Sequence, residues 1–228
     1  VVRRAPMMVV RALDAGQWGD RLRVAMELQD SALLRTRVRG NPVTNFSLKL
    51  ESASGVESGT ELMITDASGS IHKAKVQSID RQNDYLITLE PSTPLPGSIA
   101  GGDSVHTVEY RFVVELLRQR DPANPARNNM AIDREVFSNL SLDPRHSRYF
   151  ERVIGTTWNI TNPSTTQDDE GQPLRKADRR SEGESSYIRV SDSSVGTGLR
   201  QGPVAAYETR PDGTRRLILL PLNNGEDA

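Results

Sequence analysis

Apolar and polar residues alternate along much of the chain, and a period of two marks strands that bury one face. Residues 8–12 (MVVRA) and 21–28 (RLRVAMEL) predict strands, the second setting Leu22, Val24, Met26 and Leu28 against Arg23 and Glu27, with the turn-like AGQWGD between them. Residues 45–51 (NFSLKLE) predict another, with Phe46, Leu48 and Leu50 on the core face. Through residues 55–107 the runs GTELMITD, IHKAKVQSID and DYLITLE are separated by the turn sequences ASGS and RQN. That is the pattern of an antiparallel meander in a small barrel or sandwich. The breaker-rich PSTPLPGSIAGGD then leads into SVHTVEYRFVVELL, where Val108, Tyr110, Val113 and Leu116 keep no single period. One long strand with a bulge is favoured there over a strand pair.

Beyond residue 130 the spacing becomes helical. IDREVFSNL places Val136, Phe137 and Leu140 at helical intervals with Asp133 as N-cap. SLDPRHSRYFERVIG offers Pro144 to a first turn and a stripe of Tyr149, Phe150, Val153 and Ile154 that ends at Gly155. Residues 162–186 are nearly all polar, with QDDEG and RKADRRSEGESS, and read as a solvated, flexible loop. Short strands return at SSYIRV, PVAAYETR and RRLILLPL, the last two joined by a turn at Pro211, Asp212 and Gly213. The expected fold class is α+β, predominantly antiparallel β, with two short helices near residues 133–155. Residues 55–107 form a β-rich unit set within an α+β portion made of 1–54 and 108–228.

A length of 228 residues and a mass of 25.2 kDa suit one large domain or two small ones. No apolar run reaches the ~18–20 residues that cross a bilayer, so direct membrane insertion is not expected. A net charge of -1 and a pI near 6.4 leave no basic excess to hold a nucleic-acid backbone. The absence of cysteine removes disulfides, thiolate zinc sites and thiol nucleophiles together. The opening VVRRAPMMVV has neither an initiator Met nor the order of a signal peptide, and reads as an excised fragment that could be monomeric alone.

Candidate chemistry is sparse. His72, His106 and His146 have no His or carboxylate at ligand spacing, and HExxH is missing. The acidic run Asp168, Asp169 and Glu170 lacks the alternating ligands and closing Glu of a calcium loop. No G-x-S-x-G occurs, GVESG around Ser58 has the wrong spacing, and VGTGLR near Gly198 precedes no helix pattern. Glu57 and Glu61 read as surface charge. No catalytic residue, metal or cofactor is expected. Of the 29 basic residues 25 are Arg, and the clusters Arg35, Arg37, Arg39 and Arg175–Arg180 are either hydrated surface or bidentate contacts to acidic neighbours.

Three segments taken in order, MVVRALDAGQWGDRLRVAMEL, EVFSNLSLDPRHSRYFERVIG and DRRSEGESSYIRV, resemble contractile tail sheath proteins of phage tails and extracellular contractile injection systems. The family's G-x-W-G-[ND]-x-L-x-V is matched by Gly16, Trp18, Gly19, Asp20, Leu22 and Val24. Its F-x-N-L-S-x-D-P, followed by R-Y-x-x-x-V-I, is matched by Phe137, Asn139, Leu140, Ser141, Asp143, Pro144, Arg148, Tyr149, Val153 and Ile154. In these motifs Trp18 would plug a core beside two glycines, and Phe137, Leu140 and Tyr149 would anchor helices to a sheet.

The resemblance implies a structural subunit that polymerises with its copies around an inner tube protein and contracts to drive that tube through a target envelope. It implies no catalysis and no cofactor. Residues 55–107 look like the β-rich insertion of larger sheaths, facing outward, and Arg35, Arg37 and Arg39 become candidate inter-subunit contacts. The family's C-terminal core and strand-exchanging arms are not recognisable, so the chain looks like a middle portion of a longer subunit. It would be made in the cytoplasm of the producing bacterium and end in a phage tail or injection particle. The competing reading is a surface β-module for adhesion or carbohydrate binding. Sugar platforms expose aromatics, whereas aromatics are 5% here and both Trp18 and Trp158 are expected to be buried.

Overall fold

The first strands in the chain are β1 (Met8–Ala12) and β2 (Leu22–Leu28), with a 3-10 turn at Gln17–Arg21 between them, and β2 pairs antiparallel with β9 (Tyr110–Leu117). The structure, a computed structural model, describes residues 8–13, 17–29, 31–42, 44–118, 130–155, 185–192, 207–209 and 214–222. The β2–β9 pair is the centre of a four-stranded antiparallel sheet completed by β10 (Ala131–Leu140) beside β9 and β14 (Leu220–Pro221) beside β2. Strand β1 pairs with β11 (Ile188–Asp192), and β12 (Tyr207–Thr209) with β13 (Arg215–Leu217). One short helix, α1 (Phe150–Ile154), packs on β11 and β10. The four-stranded sheet, the β1–β11 pair and α1 form the body, whose core includes Leu22, Phe112, Val114, Leu140, Phe150, Ile154, Ile188 and Val190.

Everything between β2 and β9 is an insertion into one hairpin. Leu28 faces Tyr110 at the end of the ladder, and the Gln29 amide donates to the Glu109 carbonyl at 2.9 Å, so the chain leaves and re-enters the body at one point. The inserted strands are β3 (Arg35–Arg37), β4 (Ser47–Lys49), β5 (Glu61–Thr65), β6 (Ile71–Asp80), β7 (Leu86–Leu89) and β8 (Ser104–Thr107). They form a curled half-barrel in the order β3-β8-β5-β6-β7-β4. Its two edges meet along a short seam: Arg39 donates to the Lys49 carbonyl at 2.8 Å, Glu51 to the Arg37 carbonyl at 3.0 Å, and Val38 bridges Leu50. The seam satisfies edge groups that would otherwise invite strand pairing. Alternate residues fill the interior, among them Leu48, Leu50, Leu62, Ile64, Val76, Ile87 and Leu89, each at most 1% exposed. Each such side chain contributes about 1.5–3 kcal/mol of burial. Leu34, Val38, Leu48 and Leu50 lie upstream of residue 55 and share this core with the 55–107 strands.

The fold class is mostly antiparallel β with few helices, as expected, but several elements differ. Residues 131–140 form a strand instead of the first of the two expected helices. Register shifts between Ala131 and Asp133 and between Phe137 and Leu140 insert extra residues, and these break the period of two so that apolar spacing imitates a helix. The second helix covers only Phe150–Ile154; Pro144 lies in a turn closed by the His146 amide donating to the Asp143 carbonyl, and a second turn follows, closed by the Tyr149 amide on the His146 carbonyl. SVHTVEYRFVVELL splits into β8 and β9, which belong to different sheets. Leu28 is 47% exposed while Glu27 is buried, because Arg111 opposite Glu27 on β9 covers it with an ion pair. Phe46 is exposed because β4 begins only at Ser47.

Candidate functional site

The residues that join the half-barrel to the body come from the end of β10 and the stretch after it. Asn139 sits in the left-handed region at φ 57°, which Asn tolerates better than most residues. A reciprocal pair of hydrogen bonds holds it there: Gln29 Nε2 donates to Asn139 Oδ1 at 2.7 Å, and the Asn139 amide donates to Gln29 Oε1 at 2.9 Å. Gln29 is where the insertion begins, so this contact fixes the exit of the half-barrel. Asn139→Ala is expected to cost about 2 kcal/mol, about half from the backbone and half from the one lost side-chain bond, since the backbone amide still donates to Gln29. Asn139→Gly, which keeps the backbone freedom, should cost about half as much in urea titrations.

Residues 141–150 then form a closed loop. The Ser141 amide donates to the Arg148 carbonyl at 2.9 Å and the Phe150 amide to the Ser141 carbonyl at 3.1 Å, so the loop's ends are tied. The Arg148 guanidinium braces the same base by donating to the Ser138 and Asn139 carbonyls at 2.8 and 3.1 Å. Tyr149 donates its hydroxyl to Asp192 at 2.6 Å and packs its ring 4.7 Å from that of Phe150. Leu140, Phe150 and Ile154 are each fully buried in the body core.

The loop's tip presses on the half-barrel. Asp143, 4% exposed, lies 2.6 Å from Lys75 Nζ on β6 and accepts the Arg145 amide and Nε at 2.9 and 3.0 Å. Arg145 also pairs with Glu90 just past β7. Glu57 accepts the Ser147 amide at 2.7 Å and the Ser147 hydroxyl, and lies 3.0 Å from His146 Nδ1. Gly59 makes the approach feasible: its φ is 87°, and a Cβ there would stand 2.8 Å from the Asp143 carboxyl. The small cavity beside it, about 10 Å³, is lined by Gly59, Glu61, Lys75, Tyr110, Ser141 and Asp143 among others and is too small for a metabolite. The arrangement is a clamp of paired charges between two cores.

Its electrostatics are pH-dependent with one sign. Burial opposes charge on Asp143, but the bonds from Arg145 and Lys75 outweigh it and hold the carboxyl well below its ordinary range. Burial likewise opposes charge on Glu57, where the Ser147 bonds win and lower it. Burial lowers His146 against the pull of Glu57 and Asp143, and burial with the Arg35 charge lowers His106. Each group binds protons more readily unfolded than folded, so stability rises with pH across all of these titrations. The thermal midpoint should therefore drop in two stages on acidification. The first starts below about pH 6.5 as the unfolded imidazoles take protons, and the second below about pH 4 as carboxylates do. Differential scanning calorimetry of His146→Gln should show a smaller first stage.

The expected motif residues divide between the body core and the clamp. Leu22 and Val24 lie in the body core, and Gly19 is buried where a Cβ would meet that of Ala12 at 3.3 Å. Phe137 packs against that core from a strand and not from a helix. Pro144 is exposed at the tip of the loop. Gly16 and the Trp18 side chain lie outside the described residues, as do Trp158, the Asp168–Glu170 run, Arg175–Arg180 and nearly all of the 162–186 loop.

Of the Arg35, Arg37 and Arg39 cluster, Arg39 pairs with Asp84 at 2.7 Å, and Arg35 and Arg37 line an open groove beside β3. The clamp corrects two expectations, because Glu57 is paired instead of being free surface charge and His146 is buried between the two parts. Lys75, Glu90 and Arg145 escaped sequence reasoning altogether; the only local signal is a lysine between Ala74 and Val76 on a strand whose neighbours are buried.

Among the described residues no serine hydroxyl is hydrogen-bonded to a histidine. Ser98 and His72 both turn to Asp66 Oδ2, each at 3.0 Å, instead of to each other. Among the described residues no three His, Asp or Glu side chains are grouped to hold a metal ion, and no helix is long and apolar enough to cross a membrane. No protein-family profile matches the chain, and neither does any curated protein or solved structure.

Proposed function

We propose that this chain is part of a contractile tail-sheath subunit, a structural element that polymerises around an inner tube and contracts to drive it through a target envelope. The observation that carries the reading is the fold of the F-x-N-L-S-x-D-P…R-Y-x-x-x-V-I segment. Its residues form one closed loop whose base lies in the body core and whose tip clamps an inserted half-barrel. Contraction rearranges subunits as rigid bodies between two packings, and a rigid body carrying an insertion needs that insertion held. The insertion's single entry and exit point on the β2–β9 hairpin suits an outward-facing addition to a common inner layer.

The partners are other sheath subunits and the inner tube protein. The subunit is made in the cytoplasm of the producing bacterium and carried in a phage tail or injection particle. Neither nucleic acid nor a cofactor has a role in this reading. The test is negative-stain electron microscopy of the full reading frame that encodes the chain. Long striated tubes are expected. Dispersed particles that also fail to assemble on a supplied inner tube would overturn the reading in favour of an adhesion or carbohydrate-binding module.

A further inference from the structure

The small cavity beside the clamp is walled by buried residues from both parts of the chain. Glu61 of β5 and Lys75 of β6, opposite each other in their ladder, line it from the half-barrel, and Tyr110 of β9 lines it from the body. These three side chains keep hydrogen-bonding capacity that no described residue takes up. Tyr110 is 3% exposed, and its hydroxyl has no hydrogen-bond partner among the described residues. Lys75 carries three N–H donors on a buried side chain, and Asp143 is its one ion-pair partner among the described residues. Glu61 holds Lys73 on Oε1 at 2.8 Å, and its second oxygen accepts no hydrogen bond from a described residue. Buried groups of these kinds are nearly always satisfied, by protein or by ordered water.

The geometry points to a single structural water bound in this cavity, accepting from the Tyr110 hydroxyl and from Lys75 Nζ and donating to the Glu61 carboxylate. A volume of about 10 Å³ admits one water and nothing larger. The wall also matches the valence of water: two donors meet its two lone pairs and a carboxylate takes one of its protons, which makes the three hydrogen bonds usual for a buried water. An ion is disfavoured in either sense, because the Lys75 ammonium repels a cation while Glu61 and Asp143 repel an anion. Burial and the Glu61 charge push the Tyr110 hydroxyl above its ordinary range, so it stays protonated and serves as a donor. With Glu61 and Lys75 on the half-barrel and Tyr110 on the body, the water joins the two parts beside the clamp without adding charge.

This inference does not rest on the sheath reading, and its test uses the purified chain. Oxygen-17 magnetic relaxation dispersion counts the waters that tumble with a protein. Its amplitude should fall by one water in Tyr110→Phe, which removes the hydroxyl and keeps the ring in the body core. It should stay unchanged in Tyr85→Phe, at an exposed tyrosine in the turn between β6 and β7. A crystal structure of the unaltered chain needs no variant and should show one ordered water within about 3.2 Å of Tyr110 Oη, Lys75 Nζ and a Glu61 carboxylate oxygen. An amplitude that Tyr110→Phe leaves unchanged, equal falls in the two variants, or a crystal structure in which no water touches all three groups would each overturn the proposal.

Discussion

Asp143→Ala should destabilise the chain by about 3–5 kcal/mol, a large part of the roughly 5–15 kcal/mol that stabilises a typical domain. The reason is the residue it leaves behind. Lys75 Nζ is 2.6 Å from Asp143, its side chain is 9% exposed, and Asp143 is its one ion-pair partner among the described residues. Removing the carboxylate strands a buried ammonium and also takes the acceptor from the Arg145 amide and Nε. Asp143→Asn keeps the shape and removes the charge, so it should recover only a minor part of the loss. Lys75→Met in the Asp143→Ala background should restore much of the stability, because no charge is then left without a partner. Urea unfolding of the unaltered chain, Asp143→Ala, Lys75→Met and the double variant gives the coupling directly. Additive losses would mean that the 2.6 Å contact contributes nothing to the junction.

Phe150→Ala should cost a similar amount, about 3–5 kcal/mol, by a different mechanism. Phe150 is fully buried at the start of α1 and packs its ring at 58° to that of Tyr149 at the base of the clamp loop, so its removal opens a cavity in the body core. The helix is five residues long and lacks a side-chain N-cap bond, so packing must hold it, not helix propensity. Phe150→Leu, which refills most of the volume, should cost clearly less. Thermal unfolding compares the two, and equal losses would show that ring packing does not anchor the loop.

The half-barrel was legible because its strands obey one rule: alternate residues such as Leu62 and Ile64, or Ile87 and Leu89, face one interior. Where that rule breaks, the sequence misleads. The two register shifts in β10 change the phase of Val136, Phe137 and Leu140 and present a helical spacing on a strand. The passage from β8 to β9 crosses between sheets at Val108 and Glu109, where no glycine or proline marks the break. The clamp was illegible for a different reason. Its partners are Lys75, Glu57 and Glu90 on one side and Asp143, Arg145 and Ser147 on the other, separated by many residues, and no local pattern encodes a pairing made only by tertiary contact. The motif that carries the resemblance points to the loop without revealing what it grips.

The most direct test of the account is electron microscopy of tubes formed by the full reading frame after the insertion is removed. Because Gln29 and Glu109 are hydrogen-bonded neighbours, replacing residues 30–108 by Asn-Gly should close β2 and β9 as a simple two-residue hairpin. The account predicts that the shortened subunit, checked for folding by circular dichroism, still forms striated tubes, with a smaller outer diameter and an unchanged inner one. A folded subunit that forms no tubes, or tubes whose lumen changes while the outer diameter does not, would contradict it.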